Sequence, residues 1–484
     1  MDNILQEVLE KNINNIKMNF NNTSDLNIRE IMFDTKNEMM LNVVYLDGIV
    51  DTCLLQDSVI LPIIEISNIK KSIIKDEFIN IIAKNILTTA SVKITKLYQD
   101  VLDAIIQGKT VVLFDGFLEV IIVDTTKWQE RALEESSGER NPNGMVVGFS
   151  EKAKTNINVI RGIIKTEQLC VQKLTLGSKS KTDIYLLFHN DIVDKGILSE
   201  VRKRLKKVDV KYILQGRVVQ EIVEDKPKTM FPLTMNSERP DVVAASIFEG
   251  RVILMVDGNP QAMIFPALFL DFLQAPDAYF TNYGRFTIRL IRLLSFFTTI
   301  FLPGIYVALD KYGKDDLPKK VYESLVSKNE LLPTFWEEMV LLVLFRIVID
   351  STFRIPKNAV TLVALIGSIV VGETAVFAKL IHPVGLIVMG LTFITGILFG
   401  NKGLTAALNT LRYIFLIVGY YLGFSGIIIG STFLLLYMVS LRSIGVPYLS
   451  PLIPFRFKEL KDSLYRGNLE TLVNSKHSYP EDNN

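Results

Sequence analysis

Cysteine, histidine and net charge are all scarce. Cys53 and Cys170 are the two cysteines in 484 residues, too few for a disulfide framework, and no motif surrounds either. Both read as buried, reduced thiols. His189, His382 and His477 lie far apart, with no Cys or second His at ligand spacing. No metal site follows from them, and each reads as a core or surface histidine. The formal net charge is +1, so no excess of Lys and Arg exists to displace counterions, and a nucleic-acid partner is excluded. Nucleotide signatures are missing too. Gly108-Lys109-Thr110 resembles the end of a P-loop, but Asp103 stands where the upstream glycine belongs, and the glycine closes a helix instead of opening one. There is no G-x-G-x-x-G and no nucleophile elbow. No catalytic residue and no cofactor is expected. The opening Met1-Asp2-Asn3-Ile4-Leu5-Gln6-Glu7 lacks the basic and apolar regions of a signal peptide, which points to a cytoplasmic N-terminal part.

Long apolar runs are absent from the first 285 residues and cluster after them. Residues 1–25 read as a polar, Asn-rich arm. The soluble part that follows carries two pairs of similar landmarks. Residues 45–51 resemble 188–194, with Ile49 and Ile192 offset by 143. Gly108 to Asp115-Gly116 resembles Gly250 to Asp257-Gly258, offset by 142. A single-residue deletion between the landmarks reconciles the offsets, so we read two copies of one α/β unit, at 26–145 and 146–285. Each copy has a strand (41–45; 184–188) and a later helix (96–107; 241–249) ended by Gly108 or Gly250. A hairpin follows whose Asp-Gly turn suits type I′ geometry. The run Arg202-Lys203-Arg204-Leu205-Lys206-Lys207 reads as a solvated helix end complementing the macrodipole; contact with an anionic leaflet is the alternative.

Residues 286–455 read as an α-helical transmembrane bundle. Residues 293–309 carry no charge, with Arg289 and Arg292 before them, suited to the cytoplasmic side. Residues 335–350 contain Glu337, Glu338 and Arg346, costly in lipid, so this helix lies in plane or is buried in the bundle. Arg346 and Asp350, four apart, can pair on one face. Residues 358–377 and 384–399 are further passes. Residues 413–441 are apolar for 29 residues: one tilted helix gives four passes, and a hairpin at Gly423-Phe424-Ser425-Gly426 together with a crossing by 335–350 gives six, with four preferred. Either count puts both termini in the cytoplasm, which the basic residues Arg442, Arg456, Lys458, Lys461 and Arg466 suit. Residues 456–484 form a cytoplasmic polar tail.

Within residues 360–376, Thr361, Ala364, Ser368, Gly372 and Ala375 fall on one narrow stripe, with Leu362, Ile366, Ile369 and Glu373 opposite. A small-residue stripe serves close helix packing. That is the first reading; a pore lining is the second, because hydroxyls hydrogen-bond water and ions.

Asn236-Ser237-Glu238-Arg239-Pro240-Asp241, Glu249-Gly250-Arg251 and Val256-Asp257-Gly258 carry a family resemblance. So do Phe265-Pro266, the run from Phe272 to Tyr279, Leu302-Pro303-Gly304-Ile305-Tyr306 and Ser443-Ile444-Gly445-Val446-Pro447-Tyr448. Together they resemble the A subunit of spore germinant receptors, the GerA family. The resemblance implies an inner-membrane spore protein acting with a transporter-like B subunit and a lipoprotein C subunit. It implies a ring-shaped homo-oligomer among membrane lipids that conducts cations on sensing nutrients. On that footing the stripe is the expected gate lining. Glu238, Arg239, Glu249 and Arg251 are expected to form a structural charge network, with Pro240 at a helix start. Arg346 stands where the family tends to carry Glu, Ile349 where it tends to carry Arg, and Glu373 where Gln is commoner. The rival readings are a solute transporter subunit, which would show inverted membrane repeats, and a non-conducting scaffold.

Overall fold

Alternation along the strands writes the first sheet. Strands β1 (Leu26–Asp34), β2 (Met39–Leu46), β3 (Val92–Thr95), β4 (Thr110–Phe114) and β5 (Val120–Val123) pair antiparallel in the order β1-β2-β4-β5-β3. Successive side chains point to opposite faces. Leu41, Val43, Val112 and Phe114 bury into one cluster, and Val44, Leu46, Val111 and Leu113 into another. With both faces covered, β4 and β5 are buried along their whole length. The structure, a computed structural model, describes residues 4–34, 39–67, 77–127, 147–207, 209–226, 228–273, 282–313, 318–326, 331–352, 373–399 and 402–455. They fall into two compact units, one drawn from Met1–Glu224 and Thr234–Pro266, the other from Asp225–Leu233 and Ala267–Lys476.

Helices α1 (Leu9–Asn19) and α2 (Tyr98–Ile106) cover one face of the first sheet. Residues 1–25 thus contribute Leu9, Ile13, Ile16 and Phe20 to this core. Helical segments between β2 and β3, with Leu55, Val59, Ile63 and Ile82, cover the other face.

The second sheet has β6 (Leu169–Leu176), β7 (Thr182–His189), β8 (Met235–Ser237), β9 (Val252–Val256) and β10 (Ala262–Phe265), in the order β6-β7-β9-β10-β8. Helices α3 (Ala153–Ile163) and α6 (Pro240–Phe248) pack on it through Ile157, Ile160, Val243 and Ile247. Between β7 and β8 lie α4 (Lys195–Lys206) and α5 (Gly216–Val223). Leu41 pairs with Phe114 and Val44 with Val111 in the first sheet; Ile184 pairs with Val256 and Leu187 with Ile253 in the second. These registers repeat at the offsets of 143 and 142 counted along the chain.

Local chemistry repeats as well. Gly108 and Gly250 sit at positive φ, 81° and 76°. The next backbone N–H donates back into the helix, Lys109 to Ala104 at 2.9 Å and Arg251 to Ser246 at 3.0 Å, the helix-ending pattern that favours glycine. A side chain at either glycine would meet a backbone oxygen at 2.9 Å, that of Ile49 or Ile192. The Asp-Gly turns depart from expectation. The hairpins are joined by five residues, 115–119 and 257–261, and only Gly116 and Gly258 of each Asp-Gly pair have positive φ. A type I′ turn needs both central residues there. The aspartates are used otherwise: Asp115 Oδ1 accepts the Leu9 N–H that opens α1, and Asp257 Oδ1 the Ala153 N–H that opens α3, each at 3.1 Å. Asn12 and Asn156, both buried, then hold the backbone of Gln6 and Ser150 with their side-chain amides.

The two sheets' halves are tied within the first unit. Buried Arg161 donates twice to Asp25, at 2.8 and 2.9 Å. Thr23 Oγ1 accepts from the Val171 N–H at 2.9 Å. Cys170 is buried, as expected, but Cys53 is exposed, because it lies on the outer side of a short helix capped by Asp51.

The second unit is helical: α7 (Asn282–Tyr312), α8 (Thr334–Thr352), α9 (Pro383–Ile397) and α10 (Lys402–Ser440). Among the described residues two helical stretches, Thr287–Tyr312 and Gly403–Ser440, are long and apolar enough to cross a membrane, and α9 is a shorter apolar helix. The preferred single tilted helix over 413–441 gives way to a fold-back. Gly423 is non-helical at φ 61°, ψ −152°. A side chain on Gly430 would meet the Phe415 ring at 2.9 Å, whereas fifteen residues of continuous helix would separate them by about 22 Å. Glycine alone tolerates such a backbone without strain.

Candidate functional site

Each of the four residues expected to form a charge network has a polar partner among the described residues. Arg239, buried, pairs with Asp241 through Nε at 3.1 Å and through Nη2, so its partner is an aspartate in the first turn of α6 that the sequence reading left out. Pro240 holds the first position of that helix, where its missing N–H is not needed. Arg251 pairs with Glu249 at 3.0 Å and donates to the Pro266 carbonyl at 3.3 Å. Glu238 accepts from Gln261 at 3.0 Å. Nearby, burial pushes the Glu224 carboxyl up while donation from Gln220 and Thr234 opposes it. Arg202, Lys203 and Arg204 of the basic run are engaged inside their own unit, while Lys206 and Lys207 are exposed. Arg202 donates to Gln172, Lys203 and Arg204 bind Glu200, and Arg204 also reaches the Val223 carbonyl. Burial pushes the Cys170 thiol up to about 11, away from thiolate chemistry.

In the helical unit, the Ser443–Tyr448 motif joins segments remote in sequence. Ser443 Oγ, buried, accepts the Ala267 N–H at 3.0 Å and donates to the Leu233 carbonyl at 2.7 Å. Asp225 accepts the Gly445 N–H at 3.1 Å. Tyr448 is fully buried against Phe231, Phe269 and Phe272.

The Leu302-Pro303-Gly304 motif is a helix crossing. A side chain on Gly304 would collide with the Phe415 carbonyl of α10, and one on Gly419 with the Gly304 carbonyl. Missing side chains let the two backbones touch. At the far end of α7, Lys311 Nζ donates to the Tyr420 carbonyl at 3.0 Å and lies 4.0 Å from that ring's centroid. The Tyr312 hydroxyl donates to the Tyr421 carbonyl at 3.0 Å. The break at Gly423 leaves carbonyls without intrahelical donors, and the end of α7 supplies replacements.

Two further clusters lie on α9. At its start His382 is the cap, its Nδ1 accepting the Val384 N–H at 3.3 Å. The His382 N–H in turn donates to Glu337 Oε1 at 2.9 Å. Glu337 and Glu338 of α8 are both 0% exposed. A side chain on Gly385 would collide with the Glu337 carboxylate and meet Glu338 Oε1 at 3.0 Å. Neither oxygen of Glu338 has a hydrogen-bond partner among the described residues. Toward the other end, buried Arg412 of α10 donates to the Thr299 carbonyl at 3.1 Å and lies over the Phe393 ring at 4.7 Å. A side chain on Gly396 would meet its Nη2 at 3.2 Å.

Of the stripe, Thr361, Ala364, Ser368 and Gly372 lie outside the described residues. Ala375 is described: half-buried, it packs against the cluster of Val307, Leu341, Met389 and Leu416. Glu373 is exposed. Arg346 donates to Asp350 at 3.1 Å, the four-residue pairing the spacing suggests. The acids of α8 were legible as costly residues in an apolar helix. Arg412 gave no sequence signal beyond standing in the same kind of run.

The family model of the Bacillus/Clostridium GerA spore germination protein matches residues 14–478. Spore germination protein KA of Bacillus subtilis (strain 168) is 33% identical over 466 residues, 96% of this chain and 85% of that protein. The uncharacterized membrane protein YfkQ of the same strain is 29% identical over 478 residues, 98% of this chain and 92% of that protein. The crystal structure of the N-terminal domain of the A subunit of the Bacillus megaterium spore germinant receptor GerK3 is 32% identical. It covers 55% of this chain and 97% of that chain, with a TM-score of 0.45.

Proposed function

The chain belongs to the GerA family of spore germination proteins, and on that premise we propose that it is the A subunit of a spore germinant receptor, the oligomeric core of a nutrient-gated cation channel. The observation that carries this reading is the family match across nearly the whole chain. In it, residues 26–145 and 146–285 are two copies of one cytoplasmic α/β unit; the shared strand order and the repeated register support that. Residues 286–455 are embedded in the spore inner membrane with both termini on the cytoplasmic side. Two long apolar helical stretches support the embedding. The partners are a transporter-like B subunit and a lipoprotein C subunit. Nutrient bound on the B subunit biases a ring of A subunits between closed and open states, by binding one state more tightly.

Thr361, Ala364, Ser368, Gly372 and Ala375 line the gate in this reading. An aliphatic constriction closes by dewetting, and small polar groups leave a wettable path. No catalytic role is part of it. The test is conductance of the purified oligomer in a planar bilayer, with ion release from spores alongside. Trp at Ser368 together with Trp at Ala364 is expected to abolish both. Wild-type ion release from the double variant removes the lining assignment. Absence of current from the native oligomer favours a scaffold, and solute uptake without current favours a transporter subunit.

A further inference from the structure

Glu337 has a structural task. Its Oε1 accepts the backbone N–H of His382 at the N-terminus of α9, where the helix dipole and a charge-assisted hydrogen bond both favour an ionised carboxylate. Glu338 is its neighbour on the same helix and converges on the same glycine, Gly385. It has no such task. It is 0% exposed, and neither carboxyl oxygen meets a donor among the described residues.

Two carboxylates sharing a dry site do not both ionise. Neutralisation by a neighbouring cation is not available from the two cations seen in this core. Arg412 is bound to the Thr299 carbonyl and reaches Gly396, eleven residues beyond Gly385, or about 16 Å along α9. Lys311 Nζ is held by the Tyr420 carbonyl and ring. The other titratable groups around the acid are His382 at the start of α9 and Tyr306 on α7, whose hydroxyl is 3.5 Å from His382 Nδ1. Tyr413 and Tyr420 of α10 pack on the same core cluster. A metal cation does not fit. Among the described residues no group of three His, Cys, Asp or Glu is placed to hold one.

We propose that Glu338 is a proton-binding site: its carboxyl holds an exchangeable proton while α8 and α9 are packed, and releases it when water enters between them. Raising the pH then favours the hydrated arrangement and lowering it the packed one. The site rests on burial and on a missing partner, neither of which depends on whether the region conducts ions, so it and the channel reading fail separately.

The test is infrared spectroscopy of the full-length protein in lipid vesicles at neutral pH. Wild type should show a protonated-carboxyl band that shifts in D₂O. The band should be lost in Glu338→Gln and kept in Glu337→Gln. Loss of carboxylate absorption in Glu338→Gln, with the carboxyl band intact, overturns the proposal, as does a band that does not shift in D₂O. If Glu338→Gln does not fold, Glu338→Asp keeps an acid on a shorter stem and should displace the band. A band at unchanged frequency belongs to another acid and defeats the assignment.

Discussion

Asp115 and Asp257 each do two jobs, and only one was readable. As Asp-Gly pairs between apolar strands they mark turns. Their second job, accepting the opening N–H of α1 and α3 at 3.1 Å, joins residues more than a hundred positions apart, and nothing in local pattern announces it. Asp115→Ala and Asp257→Ala should each cost about 1 kcal/mol, the usual worth of a helix cap. Urea unfolding of the full chain should show similar losses at the two positions. His189 makes a pH-dependent prediction. Burial holds its imidazole below the ordinary value of 6.5, against smaller opposing effects of Asp191 and Glu167. The unfolded chain therefore takes up a proton that the folded one resists. Stability is intact above about pH 6.5 and falls as pH drops through the lower folded value. His189→Leu should flatten the difference between urea midpoints measured at about pH 7.5 and about pH 5.

Elements were legible where composition or a glycine wrote them. Gly108 and Gly250 gave the helix ends, and β-branched and aromatic residues at 41–45 and 184–188 gave β2 and β7. Apolar content did not distinguish one long helix from two antiparallel ones, because lipid and protein neighbours are equally apolar. The decision rests on the Gly423 backbone and on the Gly430–Phe415 contact. Crossing points were visible only as a motif. Gly304→Ala places a carbon against the Phe415 carbonyl and should cost about 1–3 kcal/mol by overpacking. Gly390 on α9 is the control: a side chain there meets nothing within 4 Å, so Gly390→Ala should leave stability unchanged or slightly raised. Thermal unfolding of the two variants in detergent makes the comparison.

For the whole molecule, charge and apolar content divide the chain near residue 285, and the helical region lies after that division. The register of the two sheets adds to two short sequence matches, since residues offset by 143 and 142 pair in corresponding places. The stripe was a property of one helix considered alone. Its role depends on neighbours, and spacing along one chain does not specify a ring.

Where the peptide planes of α7 and α10 meet at Gly304 and Gly419, no side chain cushions the contact. Sliding one helix past the other there brings backbone against backbone, so the crossing resists shear. α8 and α9 meet differently, through carboxylates at Gly385 and through the stacked rings of Phe345 and Phe393.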